Sequence, residues 1–170
     1  DLKKEIIITA EGPETPAIQG DEIIIDEVKK IDENNLPSQI LIGANYNGKA
    51  STLKALLNDY REYLISTLDG KNPTAEEAIR ISLNTDDGRD PDGQPSKWET
   101  VTFHTLPLVA VETILSKMQV DVRNAETEVL NHLYTQIDAG AFKVNKIIPT
   151  VVPTSSYVTA GSDYEAKVFI

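Results

Sequence analysis

Between Leu106 and Gly140 the apolar residues fall alternately three and four positions apart: Leu108, Val111, Leu115, Met118, Val122, Ala125 and Val129. Such spacing puts them on one face of an α-helix. Pro107 suits the first turn, where an N–H would have no helical partner, and Gly140 can cap the end. At 1.5 Å per residue the stretch from Pro107 to Asp138 is a rod on the order of 50 Å long. A second helix is predicted over 49–68, with Leu53, Leu56, Leu57, Tyr60, Leu64 and Leu68 inward. Lys54, Asp59, Arg61 and Glu62 avoid that face, and Gly70 stops the helix.

Weaker patterns fill the remainder. Residues 2–10 read as the end of a helix that starts upstream, and residues 11–20 as a Pro/Gly loop. Asp21 can cap a short helix over 22–33 with Ile24, Val28 and Ile31 inward, although Ile23-Ile24-Ile25 suits a strand nearly as well. Residues 38–42 read as a short extended piece, and 45–48 as a turn. Thr74 with Glu77 has capping-box spacing for a helix carrying Ala78, Ile79 and Leu83. Residues 84–96 read as pure loop, and Trp98, Val101 and Phe103 as buried positions of a short amphipathic segment. After Gly140 the character changes. Residues 142–152 are rich in β-branched side chains, 155–161 are turn-like, and Tyr164, Ala166, Val168 and Ile170 alternate with polar or outward neighbours as in a strand. Two or three strands are too few for an independent sheet. The pattern therefore predicts a mainly α chain: a helical bundle over 1–140 with a long spine helix, then the first strands of a truncated β domain over 141–170.

Composition narrows the function classes. The 170 residues carry a net charge of −11, from 27 acidic and 16 basic side chains. No basic patch of the kind that binds nucleic acid is visible, and the acidic balance opposes binding to anionic membranes. The absence of cysteine excludes disulfides, thiolate nucleophiles and Cys–zinc sites. No apolar run approaches the ~20 residues that span a bilayer. The chain opens on Asp1-Leu2-Lys3-Lys4-Glu5, not on Met, so a targeting or anchoring segment is expected upstream.

Few residues suggest chemistry. Gly43-Ala44-Asn45-Tyr46-Asn47-Gly48-Lys49-Ala50 fits the phosphate-binding pattern G-x-x-x-x-G-K-[ST] except at its end, where Ala50 cannot ligate magnesium. Ile23 to Glu27 has the composition of a Walker B strand but precedes the loop, and the alternating βαβ pattern is missing. A Gly-containing turn before a helix is the preferred reading. Asp86, Asp87, Asp90 and Asp92 lie among glycines without the spacing of a calcium loop, so a solvated turn is expected. His104 and His132 form no metal-ligand pattern; His132 reads as a residue at the edge of the bundle. No serine stands in a nucleophile elbow, and Glu126 and Glu128 read as a solvated carboxylate pair. No catalytic, cofactor-binding or metal residue is assigned.

The order of segments is more informative. The helix from Gly48 to Leu64 leads through a polar loop to Trp98-Glu99 and Phe103. Leu106-Pro107-Leu108-Val109-Ala110 and Ile114-Leu115-Ser116-Lys117 follow. Then come Asp121 to Glu126, Val129-Leu130, Phe142-Lys143-Val144-Asn145-Lys146, and the tail from Val151 to Ile170. Together they resemble the GldM/PorM family of gliding-motility and type IX secretion proteins. The resemblance implies a helical first periplasmic domain followed by immunoglobulin-like β domains, with a single upstream transmembrane helix anchoring it in the inner membrane. It implies a non-enzymatic homodimer acting with a multi-pass, GldL-like partner in a proton-driven motor. Distal domains would reach outer-membrane-associated ring components. No nucleic acid and no cofactor are implied. Two other readings stay open: a nucleotide-binding protein using Gly43 to Lys49, and a helical module that binds peptides.

Overall fold

The computed structural model describes residues 2–140, 150–153, 157, 160, 161, 163 and 166–169. The chain divides into two compact units, Asp1–Leu133 and Tyr134–Ile170. In chain order the first contains α1 (Leu2–Glu11), β1 (Ile18–Gln19), β2 (Glu22–Ile23), α2 (Asn35–Leu41), α3 (Lys49–Leu68), α4 (Pro73–Ser82), β3 (Gly88–Arg89), β4 (Pro95–Ser96) and α5 (Trp98–Phe103). It also holds most of α6 (Leu108–Gly140), a single helix of 33 residues. In the second unit, β5 (Thr150–Pro153) pairs antiparallel with β6 (Ala166–Phe169), Val151 opposite Val168. Among the described residues the chain is mainly α, as the periodicity predicts.

Two apolar clusters hold the first unit together. One gathers Ile6 and Ile7 of α1, Leu41 of α2, Leu57 of α3, Trp98 and Phe103 of α5, and Leu108, Val111 and Leu115 of α6. The other joins Leu64, Ile65 and Leu68 of α3 to Ala75 and Ile79 of α4 and to Ala125 and Val129 of α6. Helices α3 and α6 contribute to both, and Val122 packs against each. On the predicted spine face Leu108, Val111, Leu115, Ala125 and Val129 are buried, whereas Met118 and Val122 are half-buried. Leu115→Ala should cost about 2–5 kcal/mol in urea unfolding, through lost transfer energy and the cavity left behind. A loss below about half a kcal/mol would show that this face carries little of the packing.

Several local expectations fail for identifiable reasons. Residues 22–33 are not a helix. Gly20, at φ +60°, closes a two-residue hairpin of β1 and β2, and a single 3₁₀ turn follows at Ile25–Glu27. Val28 is buried and Ile24 half-buried, but Ile31 is exposed. Asp21 caps nothing; its carboxylate meets the Lys4 ammonium at 3.0 Å. The expected extended piece at 38–42 is largely helical, forming most of α2. Pro37 is tolerated there because it lies in the first turn, where no helical N–H bond is lost. The α4 cap is Asn72, whose Oδ1 accepts from the Ala75 N–H at 3.1 Å, with Pro73 as the first helical residue; Thr74 is one step inside. Ala78 is exposed on that helix.

Residues 84–96 are not pure loop, since β3 and β4 pair antiparallel, Gly88 opposite Ser96. Leu56 and Val101 are exposed rather than inward. Ile65 takes the buried place on α3, because the face that meets α4 and α6 is rotated towards it. Of the tail, Tyr164, Ile170 and residues 142–149 lie outside the described residues.

One long-range link sets the start of α6. The first N–H groups of a helix lack helical partners. Here the Leu108 and Val109 amides donate to the carbonyls of Glu33 (2.7 Å) and Ile31 (3.2 Å). The segment 31–33 thus acts as a backbone cap for a helix that begins some 75 residues later, roughly a chain length of 250 Å if extended.

Candidate interaction surface

The glycine-rich run at Gly43 does not build a phosphate cradle. The Gly43 amide donates to Ser38 O (3.4 Å), that of Asn47 to Ala44 O (3.4 Å), and that of Gly48 to Ile42 O (2.9 Å). Those three amides are thereby turned to carbonyls of the chain itself and away from an anion. Gly48 is required for a different reason: a Cβ there would stand 2.2 Å from the Leu41 carbonyl oxygen. The Lys49 ammonium meets the Glu5 carboxylate at 2.8 Å, with both side chains about half exposed. Gly48→Ala should therefore destabilise by about 1–3 kcal/mol or more, and Lys49→Ala by no more than about half a kcal/mol. ATP with Mg²⁺ should leave the melting temperature unchanged. Stabilisation by ATP that Lys49→Ala removes would restore the nucleotide reading.

Two of the acidic residues of 84–96, Asp90 and Asp87, hold local structure. Asp90 Oδ1 accepts from the amides of Asp92 (3.0 Å) and Gln94 (2.8 Å). Asp87 accepts from the Lys54 ammonium (2.6 Å) and from the Trp98 amide (3.0 Å), and its carboxyl is held below the usual range by Lys54 first and then by Trp98. Asp86 and Asp92 are exposed. Among the described residues no group of three or more His, Asp or Glu side chains could hold a metal ion. His104 ends α5 in the open, its Nδ1 3.5 Å from the Thr105 hydroxyl, and His132 is half-buried on α6. Glu126 is not simply solvated. It accepts a 2.7 Å hydrogen bond from the Tyr60 hydroxyl, which raises the phenol's pKa, with burial as the second cause. Glu128 is exposed.

Two recesses beside α3 are mostly apolar. On α3, Leu56 is 62% and Tyr63 63% exposed, and the rings of Tyr60 and Tyr63 stack with centroids 6.0 Å apart. With Leu53, Leu57 and Asp59 they line a shallow recess of about 480 Å³. Leu53 and Leu57 also border a groove of about 740 Å³ between α1, α3 and α6, floored by Leu115, Met118 and Val122 and edged by Val120 and Arg123. Aromatic and aliphatic side chains with an arginine at the margin are the composition of interface centres. The sequence held a signal for this apolar surface: Leu53, Leu56, Leu57, Tyr60 and Tyr63 span more of the α3 circumference than one inward stripe needs.

A second feature escaped the sequence reading. Glu112 is only 2% exposed, and neither carboxylate oxygen has a hydrogen-bond partner. It lines a pocket of about 200 Å³ with Ile25, Val28, Ile31, Leu108, Val109, Thr113 and Ser116. Burial pushes its pKa from 4.5 up to about 7, opposed by the charge of Lys3, whose ammonium sits 2.9 Å from the Ser116 hydroxyl. By spacing, Glu112 is one step past the inward Val111 and four past Leu108, at the edge of the buried stripe.

Comparison with known proteins gives a family. A family model described as the GldM N-terminal domain matches residues 1–136. The chain belongs to that family. No curated protein matches it. Through the GldM domain the chain is a component of gliding motility and type IX secretion, a structural class and not a known enzyme class. Among the described residues of this GldM domain, no helix is long and apolar enough to cross a membrane.

Proposed function

We propose that this GldM N-terminal domain is a non-enzymatic periplasmic scaffold that transmits torque in a proton-driven motor for gliding and type IX secretion. Family membership over residues 1–136 is the observation that carries the reading. A helix of 33 residues packed into both apolar clusters of the first unit supports it, since stiffness along one axis is what a torque-bearing part needs. In this reading an upstream transmembrane helix anchors the chain in the inner membrane beside a multi-pass, GldL-like partner. The strands β5 and β6 open an immunoglobulin-like domain, and later domains reach the outer-membrane-associated ring.

The chain works as a homodimer in this proposal, with the α3 face around Leu56, Tyr60 and Tyr63 as the contact. That face is apolar on a molecule whose net charge is −11, so a matching apolar patch on a second copy can bury it where charged surface would repel. Replacing Leu56 and Tyr63 together by Asp should weaken self-association at least about tenfold in sedimentation equilibrium while leaving the helical circular dichroism intact. Unchanged self-association would remove α3 from the interface. Co-purification of the full-length, membrane-anchored protein with a multi-pass membrane protein in fixed ratio tests the motor reading; recovery without any such partner would count against it.

A further inference from the structure

We propose that the pocket beneath Ile25, Ile31 and Val109 is a socket for a single Arg or Lys side chain of a protein partner, with Glu112 as its counter-charge. The observations come from the first unit alone and do not depend on self-association. Glu112 is buried with two oxygens that accept nothing, and a buried polar group without partners is costly unless something fills the vacancy in the working state. Its surroundings are apolar: Val28 and Leu108 are buried beside it, and Ile25, Ile31 and Val109 form the rim. The polar exceptions are Thr113 and Ser116. Thr113 donates its hydroxyl to the Val109 carbonyl (2.8 Å), and Ser116 donates to the Glu112 carbonyl (2.7 Å) while accepting from Lys3. Lys3 of α1 is the charged group that bears on Glu112, and its ammonium is hydrogen-bonded to Ser116. The 25–31 segment presents aliphatic side chains to the pocket. Among the described residues, neither carboxylate oxygen therefore receives a hydrogen bond.

Shape and charge select the occupant. The volume of about 200 Å³ is below the roughly 300–1,000 Å³ of pockets that hold small-molecule ligands, and fits one long side chain. A guanidinium or ammonium on an aliphatic stem matches an apolar shaft that ends in a carboxylate. The rim residues Ile25, Ile31 and Val109 are 49%, 43% and 39% exposed, so a partner surface around the anchoring side chain has aliphatic groups to cover. A chain with a net charge of −11 also attracts basic partners at long range.

The test uses the full chain and backbone amide chemical shifts. n-Butylguanidinium should give saturable shifts confined to residues 25–31 and 108–116, with millimolar affinity. The neutral isostere n-butylurea should bind at least about tenfold more weakly, and Glu112→Gln should weaken n-butylguanidinium by a similar factor. Equal binding of the two probes, undiminished binding to Glu112→Gln, or no saturable shift would overturn the proposal. If Glu112→Gln does not fold, Ile31→Trp, which closes the mouth from an exposed position, must abolish the shifts. A peptide with one Arg between leucines separates a protein partner from a free amine. It should bind more tightly than n-butylguanidinium, with the gain lost in Ile31→Ser. A peptide no tighter than n-butylguanidinium, or bound less well than spermidine, would overturn the assignment to a protein side chain.

Discussion

Raising the pH from 5 to 8 will destabilise the first unit, and Glu112→Gln will remove most of that slope. In the native state the Glu112 carboxyl has its pKa raised to about 7 from a reference of 4.5. Between those values the folded chain binds a proton that the unfolded chain has already released. Stability from this group is therefore complete below about pH 4.5 and is lost as the pH rises through about 7. Two to three units at about 1.4 kcal/mol each put the loss on the order of 3 kcal/mol, a large share of a domain's total. The opposite sign applies to Glu11. Burial raises its pKa, but the Thr15 hydroxyl and the Lys30 and Lys29 amides lower it further, so it sits below 4.5 and its contribution is lost only in acid. The two effects occupy different pH windows. Urea denaturation of both chains at pH 5, 6, 7 and 8 decides it, the difference between wild type and variant isolating Glu112. Parallel curves for the two chains would show that Glu112 is ionised and satisfied in the native state.

Phe103→Ala should be among the most damaging single substitutions. Its ring is wholly buried and meets Trp98 edge to face, with centroids 5.5 Å apart. The same cluster contains Leu41 of α2 and Leu108, Val111 and Leu115 of α6, so the vacancy opens where three helices converge. Truncating a buried phenylalanine costs about 3–5 kcal/mol, and loss of the aromatic pair adds to it. The neighbouring Val101→Ala, at an exposed position on the same short helix, should stay within about half a kcal/mol. Chemical denaturation of the pair measures both. Comparable losses would mean that α5 is held by its whole length and not by its aromatic residues.

These contrasts also show which parts of the molecule could be read from the chain. Helices α3 and α6 were legible because each repeats its apolar spacing over five or more turns, so one misplaced residue such as Leu56 does not hide the pattern. The pairs β1–β2 and β3–β4 have two residues per strand and no room for a period. Helix α2 was lost to Pro37, which signals a break in the interior and is harmless in a first turn. The Asn72 cap was missed by two residues in favour of a capping box at Thr74, although Asn-Pro at a helix start is itself a local signal. Glu112 is the hardest case. Whether it is solvated depends on Ile25, Val28 and Ile31, some 80 residues earlier, so nothing near it in sequence records its burial. The apolar surface of α3 was half visible, as an excess of apolar residues without a direction. Motif spacing overstated Gly43 to Lys49, because a pattern of glycines does not distinguish a turn that wraps an anion from one that lets two backbones touch. The family resemblance, in contrast, needed no single site, being spread over many segments.

Amide hydrogen exchange would give the junction at Ile31 and Glu33 an unusual signature. The opening amides of a helix ordinarily trade their protons with water quickly, because they have no carbonyl one turn back and the terminus frays. Those of Leu108 and Val109 are held by carbonyls from a distant part of the chain, and the Leu108 side chain is wholly buried. They are released when residues 31–33 come away from the start of α6. Their exchange should therefore track the detachment of that distant segment, making the first two residues of the longest helix reporters of a long-range contact where a helix start ordinarily reports only its own fraying.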